Sequence, residues 1–178
     1  MEKFIFLDRD GTIIKDQIQG FASRIIDLEF LPRVVQGLSE LQSLGYKFLV
    51  VTNQAGIAKK YYTEEAVNIF HKEITRQLSN SQISIEKIYY CPHHPDITGE
   101  CECRKPNPGM VHRAVNDFGL DPSQAIFIGD KDCDIELGQQ FGARTILISN
   151  GQYEVKAIPM AKAKDLVEAA QIITNWQK

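Results

Sequence analysis

Short apolar runs alternate with longer amphipathic stretches along the chain. An apolar run of about four to eight residues between turn-forming residues is typical of a buried strand. Apolar positions three and four apart are typical of a helix that covers a core. The runs that predict strands are Phe4–Leu7, Phe48–Val51, Ile85–Tyr90, Ala125–Ile128 and Thr145–Ile148.

The amphipathic stretches between these runs predict helices. Thr63, followed by two glutamates, predicts the N-cap of a helix whose apolar side extends to Leu78, and glycines predict the ends of three other helices. The remaining predicted helices are Val34–Leu44, Gly109–Phe118, Asp132–Phe141 and Lys164–Trp176. Strands that alternate with helices predict an α/β fold, in which a doubly wound, Rossmann-like parallel sheet carries helices on both faces.

The composition is that of an ordinary globular protein. The chain has 178 residues, 43% of them hydrophobic and 24% charged, with a net charge of -3. No linker or repeat interrupts the pattern, so we expect a single domain over residues 1–178. A mildly acidic chain without a basic face is a poor binder of nucleic acid. The apolar residues before Asp8 are too few for a signal peptide and no run approaches a membrane span, so we expect no membrane partner and a cytoplasmic location.

Residues 91–108 break the pattern, because they are rich in cysteine, histidine and proline and poor in aliphatic residues. Such a segment needs something other than apolar burial to hold it. In a reducing compartment, three cysteines and a histidine within residues 91–103 predict a tetrahedral zinc site. The predicted ligands are Cys91, His93, Cys101 and Cys103, with His94 as the alternative histidine. Four protein ligands leave no position for substrate, so this zinc is predicted to be structural.

Other uses of the cysteines stay open at this point. Buried free thiols or a redox pair are the alternatives to zinc. Cys133 is distant from the other three in sequence and is interpreted as a buried thiol.

Two aspartates, Asp8 and Asp10, follow the first predicted strand directly. In a parallel sheet this is the edge at which ligands bind. Magnesium prefers carboxylate oxygens together with substrate phosphate, and an ionised aspartate beside it can act as a nucleophile. Asp130 follows a later strand and is placed to complete the magnesium ligands. A simple Asp-Gly turn is the structural alternative for the first pair.

Further polar residues follow other strands. Thr52, Asn53 and Gln54 can donate hydrogen bonds to phosphate oxygens, although a helix cap or a turn also explains them. Arg104 and Lys105 can bind phosphate, although a basic pair is often only solvated surface.

The charges that follow Asp130 are open to two interpretations. Lys131 is a candidate for substrate binding, and a structural role at the start of the next helix is the alternative. Asp132 is placed to cap the next helix, and Asp134 to stabilise its N-terminus electrostatically.

The four strand ends carry, in chain order, a carboxylate pair, a hydroxyl, a lysine and an acid. This set resembles the haloacid dehalogenase superfamily of phosphatases and phosphotransferases over most of the chain. The resemblance implies that Asp8 attacks phosphorus, while Asp10 protonates the leaving oxygen and later activates water. It implies that Thr52 and Lys105 hold the transferring phosphoryl group. It also implies that Asp130 binds magnesium together with Asp8 and the backbone carbonyl of Asp10.

The cysteine-rich loop and the following Arg104-Lys105-Pro106-Asn107-Pro108-Gly109-Met110 resemble a narrower branch, which contains the D,D-heptose 1,7-bisphosphate phosphatases and the histidinol-phosphate phosphatases. Members of that branch have only a minimal cap. In the heptose enzymes a short segment after the first motif covers the sugar, and Gly20 and Phe21 occupy that place here. The resemblance further implies that Arg104 discriminates between substrates and that the protein is a monomer.

The reaction that the resemblance implies is removal of the C7 phosphate from D-glycero-D-manno-heptose 1,7-bisphosphate, with catalytic Mg²⁺ and structural Zn²⁺, in the synthesis of activated heptose for lipopolysaccharide or another surface glycan. Histidinol-phosphate phosphatase is the alternative within the same chemistry. Neither composition nor spacing separates these two substrates or the two anomers at C1. An alternative of another class is a zinc-dependent interaction module with structural acidic turns, which predicts no turnover and little response to magnesium.

Overall fold

A single parallel sheet forms the centre of the molecule. The computed structural model describes residues 2–16, 24–149, 151 and 153–178. The strands are β1 (Lys3–Leu7), β2 (Tyr46–Asn53), β3 (Ile85–Cys91), β4 (Ile126–Gly129), β5 (Arg144–Ile148) and β6 (Ala161–Ala163). All neighbouring strands pair in parallel, in the order β3-β2-β1-β4-β5-β6. The chain therefore winds outward from β1 in both directions.

Helices cover both faces of this sheet. They are α1 (Val34–Ser43), α2 (Glu64–Asn80), α3 (Pro95–Thr98), α4 (Gly109–Phe118), α5 (Asp132–Gln140) and α6 (Leu166–Trp176), with 3₁₀ turns at Ile25–Asp27 and Pro122–Gln124. Side chains alternate along β1, so that Ile5 packs with α1, α2 and α6 on one face, while Phe6 packs with α4 and α5 on the other. The described residues form three layers and two hydrophobic cores.

Local signals in the sequence explain where several helices begin and end. The Thr63 hydroxyl accepts a hydrogen bond from the Ala66 amide at 3.2 Å and caps α2, as predicted. Gly119 ends α4 with a left-handed φ of 63°. The Asp165 carboxylate caps α6 by accepting two backbone N–H bonds, so this helix begins two residues later than the predicted Lys164.

The predicted α/β fold with a parallel sheet is confirmed, and each predicted strand and helix is present to within a few residues. The short elements were not predicted, namely the edge strand β6, the single turn α3 and the two 3₁₀ turns. The predicted capping role of Asp132 is wrong, because its carboxylate accepts from the Lys156 and Ala157 amides instead. Gly20 and Phe21 lie outside the described residues. Within the described ranges, no helix combines the length and apolarity that a membrane span requires.

Candidate active site

The candidate active site lies at the carboxyl end of the central strands. Asp8 follows β1, and its amide donates to the carbonyl of Ile128 on β4 at 2.9 Å. Thr52 lies near the end of β2, and Asp130 directly follows β4. Because these strands are neighbours in the sheet, residues far apart in the sequence meet at this edge.

Three buried carboxylates form the centre of the site. Asp8, Asp130 and Asp134 each offer an oxygen, and these oxygens all lie within 4.8 Å of one another. Asp134 lies in the first turn of α5, where the sequence predicted a charge that stabilises the helix N-terminus. It also belongs to the carboxylate cluster, which the sequence did not predict. One of its oxygens accepts from the Lys131 backbone amide at 3.1 Å, and the other accepts from the Lys105 ammonium group at 2.6 Å.

Two glycines allow the carboxylates to approach so closely. A Cβ atom built on Gly11 would lie 2.1 Å from an Asp130 carboxylate oxygen, and one on Gly129 would lie 2.3 Å from Asp134. Gly11 also has a φ of 86°, which disfavours any other residue. The turn after β1 therefore requires glycine both for its conformation and for its contact with Asp130.

Lys105 supplies a buried positive charge to this centre. Its ammonium group donates to an Asp8 oxygen at 2.6 Å, to an Asp134 oxygen at 2.6 Å and to the Val51 carbonyl at 2.7 Å. The residue is only 4% exposed. A second ammonium group, that of Lys131, lies 3.6 Å from an Asp130 oxygen. The two lysines partly neutralise three acids in a region of low dielectric constant.

The electrostatic environment shifts the pKa values of Asp8 and Asp130 in opposite directions. Burial raises the pKa of Asp8, but the cations of Lys105 and Lys131 outweigh this effect and hold it below the usual value. Burial and the negative charge of Asp8 raise the pKa of Asp130 to about 8. Asp8 is thus kept ionised, as a nucleophile requires.

Asp10 lies beside this centre in a network of polar side chains. Its Oδ2 atom accepts from Gln54 Nε2 at 2.9 Å and from Thr52 Oγ1 at 3.4 Å. The buried Arg9 guanidinium donates to both Asp10 oxygens, at 3.1 and 2.9 Å. Asn53 exchanges two hydrogen bonds with the backbone of Lys105, at 3.1 and 2.9 Å. Asn53 and Gln54 therefore also orient their neighbours at the site.

The cysteine-rich loop gathers its predicted ligands into one cluster. Ligand atoms of Cys91, His93, Cys101 and Cys103 lie within 4.8 Å of one another, and the four cysteines of the chain are free thiols. The sulfur and Nδ1 contacts within this cluster measure 2.8 to 3.7 Å. Neighbouring ligands of a tetrahedral zinc ion lie roughly 3.5 to 4 Å apart, so the donor set and its size suit zinc.

His94, the alternative histidine of the loop, and the fourth cysteine, Cys133, lie outside the cluster. The His94 ring accepts from the Asp96 amide at 3.3 Å, at the start of α3. The predicted preference for His93 over His94 agrees with this arrangement. Cys133 lies at the start of α5 and takes no part in the cluster, but this predicted buried thiol is only partly buried.

The loop is attached directly to the carboxylate centre. The backbone N–H of Gln54 donates to the Cys91 carbonyl at 2.7 Å, and the Arg104 guanidinium group donates to the His93 carbonyl at 3.3 Å. Lys105 comes only two residues after Cys103. An ordered loop therefore also helps to position the backbone of Lys105, which carries the ammonium group at the active site.

The structure brings Asp8, Thr52, Lys105 and Asp130 to one edge of the sheet, and it adds two residues that the sequence did not assign to the site. Asp134 was interpreted as a helix-terminal charge. Arg9 was not singled out, and the available signal was its place between two acids. The oxygens of Asp8, Asp130 and Asp134 suit a divalent cation, because three buried carboxyl groups lie close together and hard oxygen ligands favour Mg²⁺.

Comparison with known proteins agrees with this geometry. The HAD-hydrolase-like family model matches residues 102–171. A D-glycero-beta-D-manno-heptose-1,7-bisphosphate 7-phosphatase of Haemophilus influenzae is 38% identical over 159 residues, which cover 85% of this chain and 84% of that protein. A D-glycero-alpha-D-manno-heptose-1,7-bisphosphate 7-phosphatase of Photorhabdus laumondii is 36% identical over 155 residues, 84% of each chain.

A solved structure is similar over almost the whole chain. The D,D-heptose 1,7-bisphosphate phosphatase of B. bronchiseptica, complexed with magnesium and phosphate, superposes with a TM-score of 0.85 and 26% identity, over 98% of this chain and 99% of that one. Sequence and fold relationships thus extend over the strands and loops that form the site. The chain belongs to the haloacid dehalogenase-like phosphatases, in the branch that contains the heptose-1,7-bisphosphate 7-phosphatases.

Proposed function

We propose that this phosphatase removes the C7 phosphate of D-glycero-D-manno-heptose 1,7-bisphosphate, in the synthesis of nucleotide-activated heptose for surface glycans. The observation that carries the proposal is the buried contact of the Lys105 ammonium group with the Asp8 carboxylate at 2.6 Å, inside a three-carboxylate cluster. The relatives at 36 to 38% identity are named for that reaction, and they support the choice of substrate.

In the proposed reaction Asp8 is the nucleophile. One of its oxygens forms a bond to phosphorus as the bond between phosphorus and the C7 oxygen breaks, and Asp10 gives its proton to that leaving oxygen. Water then attacks the aspartyl-phosphate and loses its proton to Asp10, and Asp8 is released. Lys105 and the Thr52 hydroxyl would stabilise the charge of the transferring phosphoryl group.

Asp8, Asp130 and Asp134 are the carboxylates proposed to hold Mg²⁺, with the backbone carbonyl of Asp10 as a further ligand. When bound, the ion would offset the negative charge of the transferring phosphoryl group. The close approach of three buried carboxylates supports this assignment. The lowered pKa of Asp8, which Lys105 and Lys131 cause, supports a nucleophile that stays ionised.

The remaining predicted residues are proposed to bind substrate. Arg104, half-buried beside the loop, would hold the part of the substrate that does not react, because a guanidinium group can grip a phosphate with two hydrogen bonds. The other proposed contacts are Gly20, Phe21, Asn53, Gln54 and Lys131. In the same way, Zn²⁺ bound to the Cys/His cluster is proposed to order the loop that carries Arg104 and Lys105.

The test compares substrates under one set of conditions. The purified chain is incubated with Mg²⁺ and with each C1 anomer of the heptose bisphosphate or with histidinol phosphate, and products are followed by ³¹P NMR. We expect release of inorganic phosphate from C7, retention of the C1 phosphate, little hydrolysis of histidinol phosphate, and no turnover with a chelator. Faster hydrolysis of histidinol phosphate, or loss of the C1 phosphate, would overturn the substrate. No turnover of any phosphate ester would support a non-catalytic module.

A further inference from the structure

Arg9 is the largest fully buried side chain of the described residues, with 1% exposure, and the reaction proposed above gives it no role. A buried guanidinium group is costly unless charged and polar partners surround it. Its partners therefore indicate what the residue does.

The guanidinium group of Arg9 links Asp10 to helix α2. Its Nε and Nη2 atoms donate to the two oxygens of Asp10, and its Nη1 atom donates to His71 Nε2 at 2.9 Å. The ring of Phe70, the neighbour of His71 on α2, lies 5.1 Å from the guanidinium carbon. These contacts join the turn after β1 to a helix that begins more than fifty residues later.

Gln54 closes this network from the end of β2. Its Oε1 atom accepts from Arg9 at 3.0 Å and from the Tyr62 hydroxyl at 2.7 Å, and its Nε2 atom donates to Asp10. The Asp10 carboxylate is held by donors on two sides, while its side chain stays 16% exposed. The arrangement fixes the direction of a carboxylate that a water molecule or a leaving group can still reach.

His71 contributes to this network as an acceptor. Arginine has only donors, so the Nε2 atom of His71 must accept, and the proton of its neutral ring lies on Nδ1. Burial, together with the positive charge of Arg9, lowers the pKa of His71 to about 3. The ring therefore keeps its lone pair toward Arg9 throughout the neutral pH range. A histidine that only filled space would not need this acceptor.

We infer that Arg9 and His71 are positioning residues for Asp10, in the hydrolysis of the aspartyl-phosphate. This inference rests on the proposed function. Both Asp10 oxygens accept hydrogen bonds from the Arg9 guanidinium group. A carboxylate whose two oxygens both act as acceptors is the form that can take a proton from water. In that step the bond between water oxygen and phosphorus forms, the bond between Asp8 and phosphorus breaks, and the water proton passes to Asp10.

The inference predicts a specific kinetic defect rather than a general loss of activity. With p-nitrophenyl phosphate the leaving group departs without needing a proton, so formation of the aspartyl-phosphate should be preserved. His71→Leu removes the acceptor and should lower the steady-state rate on the order of tenfold. It should show a burst of one nitrophenolate per active site and an increased fraction of phosphorylated enzyme, measured by rapid quench and intact-protein mass spectrometry.

Two further variants separate positioning from folding. His71→Gln keeps an acceptor near the position of Nε2 and should behave almost as the wild type. Arg9→Lys keeps the charge but loses the planar fork, and should accumulate the phosphoenzyme; it keeps the test valid if His71→Leu does not fold. Ile74→Ala, in the same helix but in the hydrophobic core, is the matched control for lost stability. It should lower burst and steady-state rate together, if it changes them at all.

The outcomes distinguish this inference from the proposed function. If His71→Leu and Arg9→Lys keep the wild-type rate and phosphoenzyme fraction, the positioning role is wrong. The same conclusion follows if they resemble Ile74→Ala. If the wild type itself forms no phosphoenzyme and hydrolyses no phosphate ester, the proposed function has failed instead.

Discussion

At the scale of single residues, His71 makes the free energy of unfolding depend on pH. Its imidazole is buried and neutral, and its pKa is lowered to about 3 by burial and by Arg9. In the unfolded chain the pKa returns to about 6.5, so below that pH the unfolded state binds a proton that the folded state excludes. The contribution of His71 to the free energy of unfolding is therefore complete above pH 6.5 and decreases as the pH falls toward 3.

We predict a pH-dependent difference between the wild type and His71→Gln. The free energy of unfolding of the wild type should fall, relative to that of the variant, by up to about 1.4 kcal/mol per pH unit below pH 6.5. Urea titrations at several pH values between 7.5 and 4.5 measure this difference. Because the two proteins share all other titrating groups, a difference that stays constant over this range would contradict a buried neutral His71.

Individual residues also mark the limit of prediction from sequence. The carboxylates after β1 and β4 were predictable because a parallel sheet brings its strand ends together. The inward direction of Asp134 depends on the rotation of α5, which its short amphipathic pattern does not define. Arg9 contacts His71, 62 positions later in the chain, and only the packing of α2 against the sheet brings them together.

At the scale of elements, the turn after β1 depends on Gly11. Gly11→Ala should place a methyl group against the Asp130 carboxylate and strain a backbone with positive φ. We predict that the Mg²⁺ concentration for half-maximal turnover rises on the order of tenfold, because Asp130 must move. Turnover measured across a magnesium titration tests this.

Gly45 provides the matched control for that substitution. It has the same φ of 86°, but no atom lies within 4 Å of a Cβ built there. Gly45→Ala should therefore cost about 1 kcal/mol of stability through backbone strain and leave the magnesium dependence unchanged. If both variants shift the magnesium titration equally, contact with Asp130 is not the reason for the glycine.

The loop of residues 91–103 gives a separate prediction at this scale. Cys101→Ser removes one of four proposed zinc ligands and should lower the bound zinc measured by elemental analysis. Turnover should fall on the order of tenfold, because the loop positions Lys105. Cys133→Ser, which changes a thiol outside the cluster, should keep the zinc. Unchanged zinc in Cys101→Ser would contradict the ligand assignment.

Elements were predictable in proportion to their length and pattern. The strands from β1 to β5 are apolar runs, and the longer helices have capping residues or a terminal glycine. The strand β6 has three residues and the helix α3 has four, so neither contains a period that can be recognised. The pairing of β6 with β5 depends on tertiary contacts.

At the scale of the whole molecule, the strand order determines where the chemistry takes place. The central strand β1 has β2 on one side and β4 on the other, so Asp8 lies between Thr52 and Asp130. Lys105 reaches the same edge from the loop after β3 and α3, and His71 on α2 contacts Arg9 in the turn after β1. The single-domain organisation, the monomeric state and the cytoplasmic location stay predictions from the sequence.

In the proposed reaction, Asp8 accepts the phosphoryl group at this edge of the sheet. The most direct measurement uses the Asp10→Asn variant with p-nitrophenyl phosphate, whose leaving group needs no proton, so that the aspartyl-phosphate should form but be hydrolysed slowly. The variant is mixed with this substrate and Mg²⁺, quenched in acid and digested, and the phosphorylated peptide is identified by mass spectrometry. We expect a phosphoryl group on Asp8 of this variant. We expect none in the double variant that carries both Asp8→Asn and Asp10→Asn. A phosphoryl group on another residue, or wild-type turnover by Asp8→Asn alone, would contradict the role of Asp8 as the acceptor.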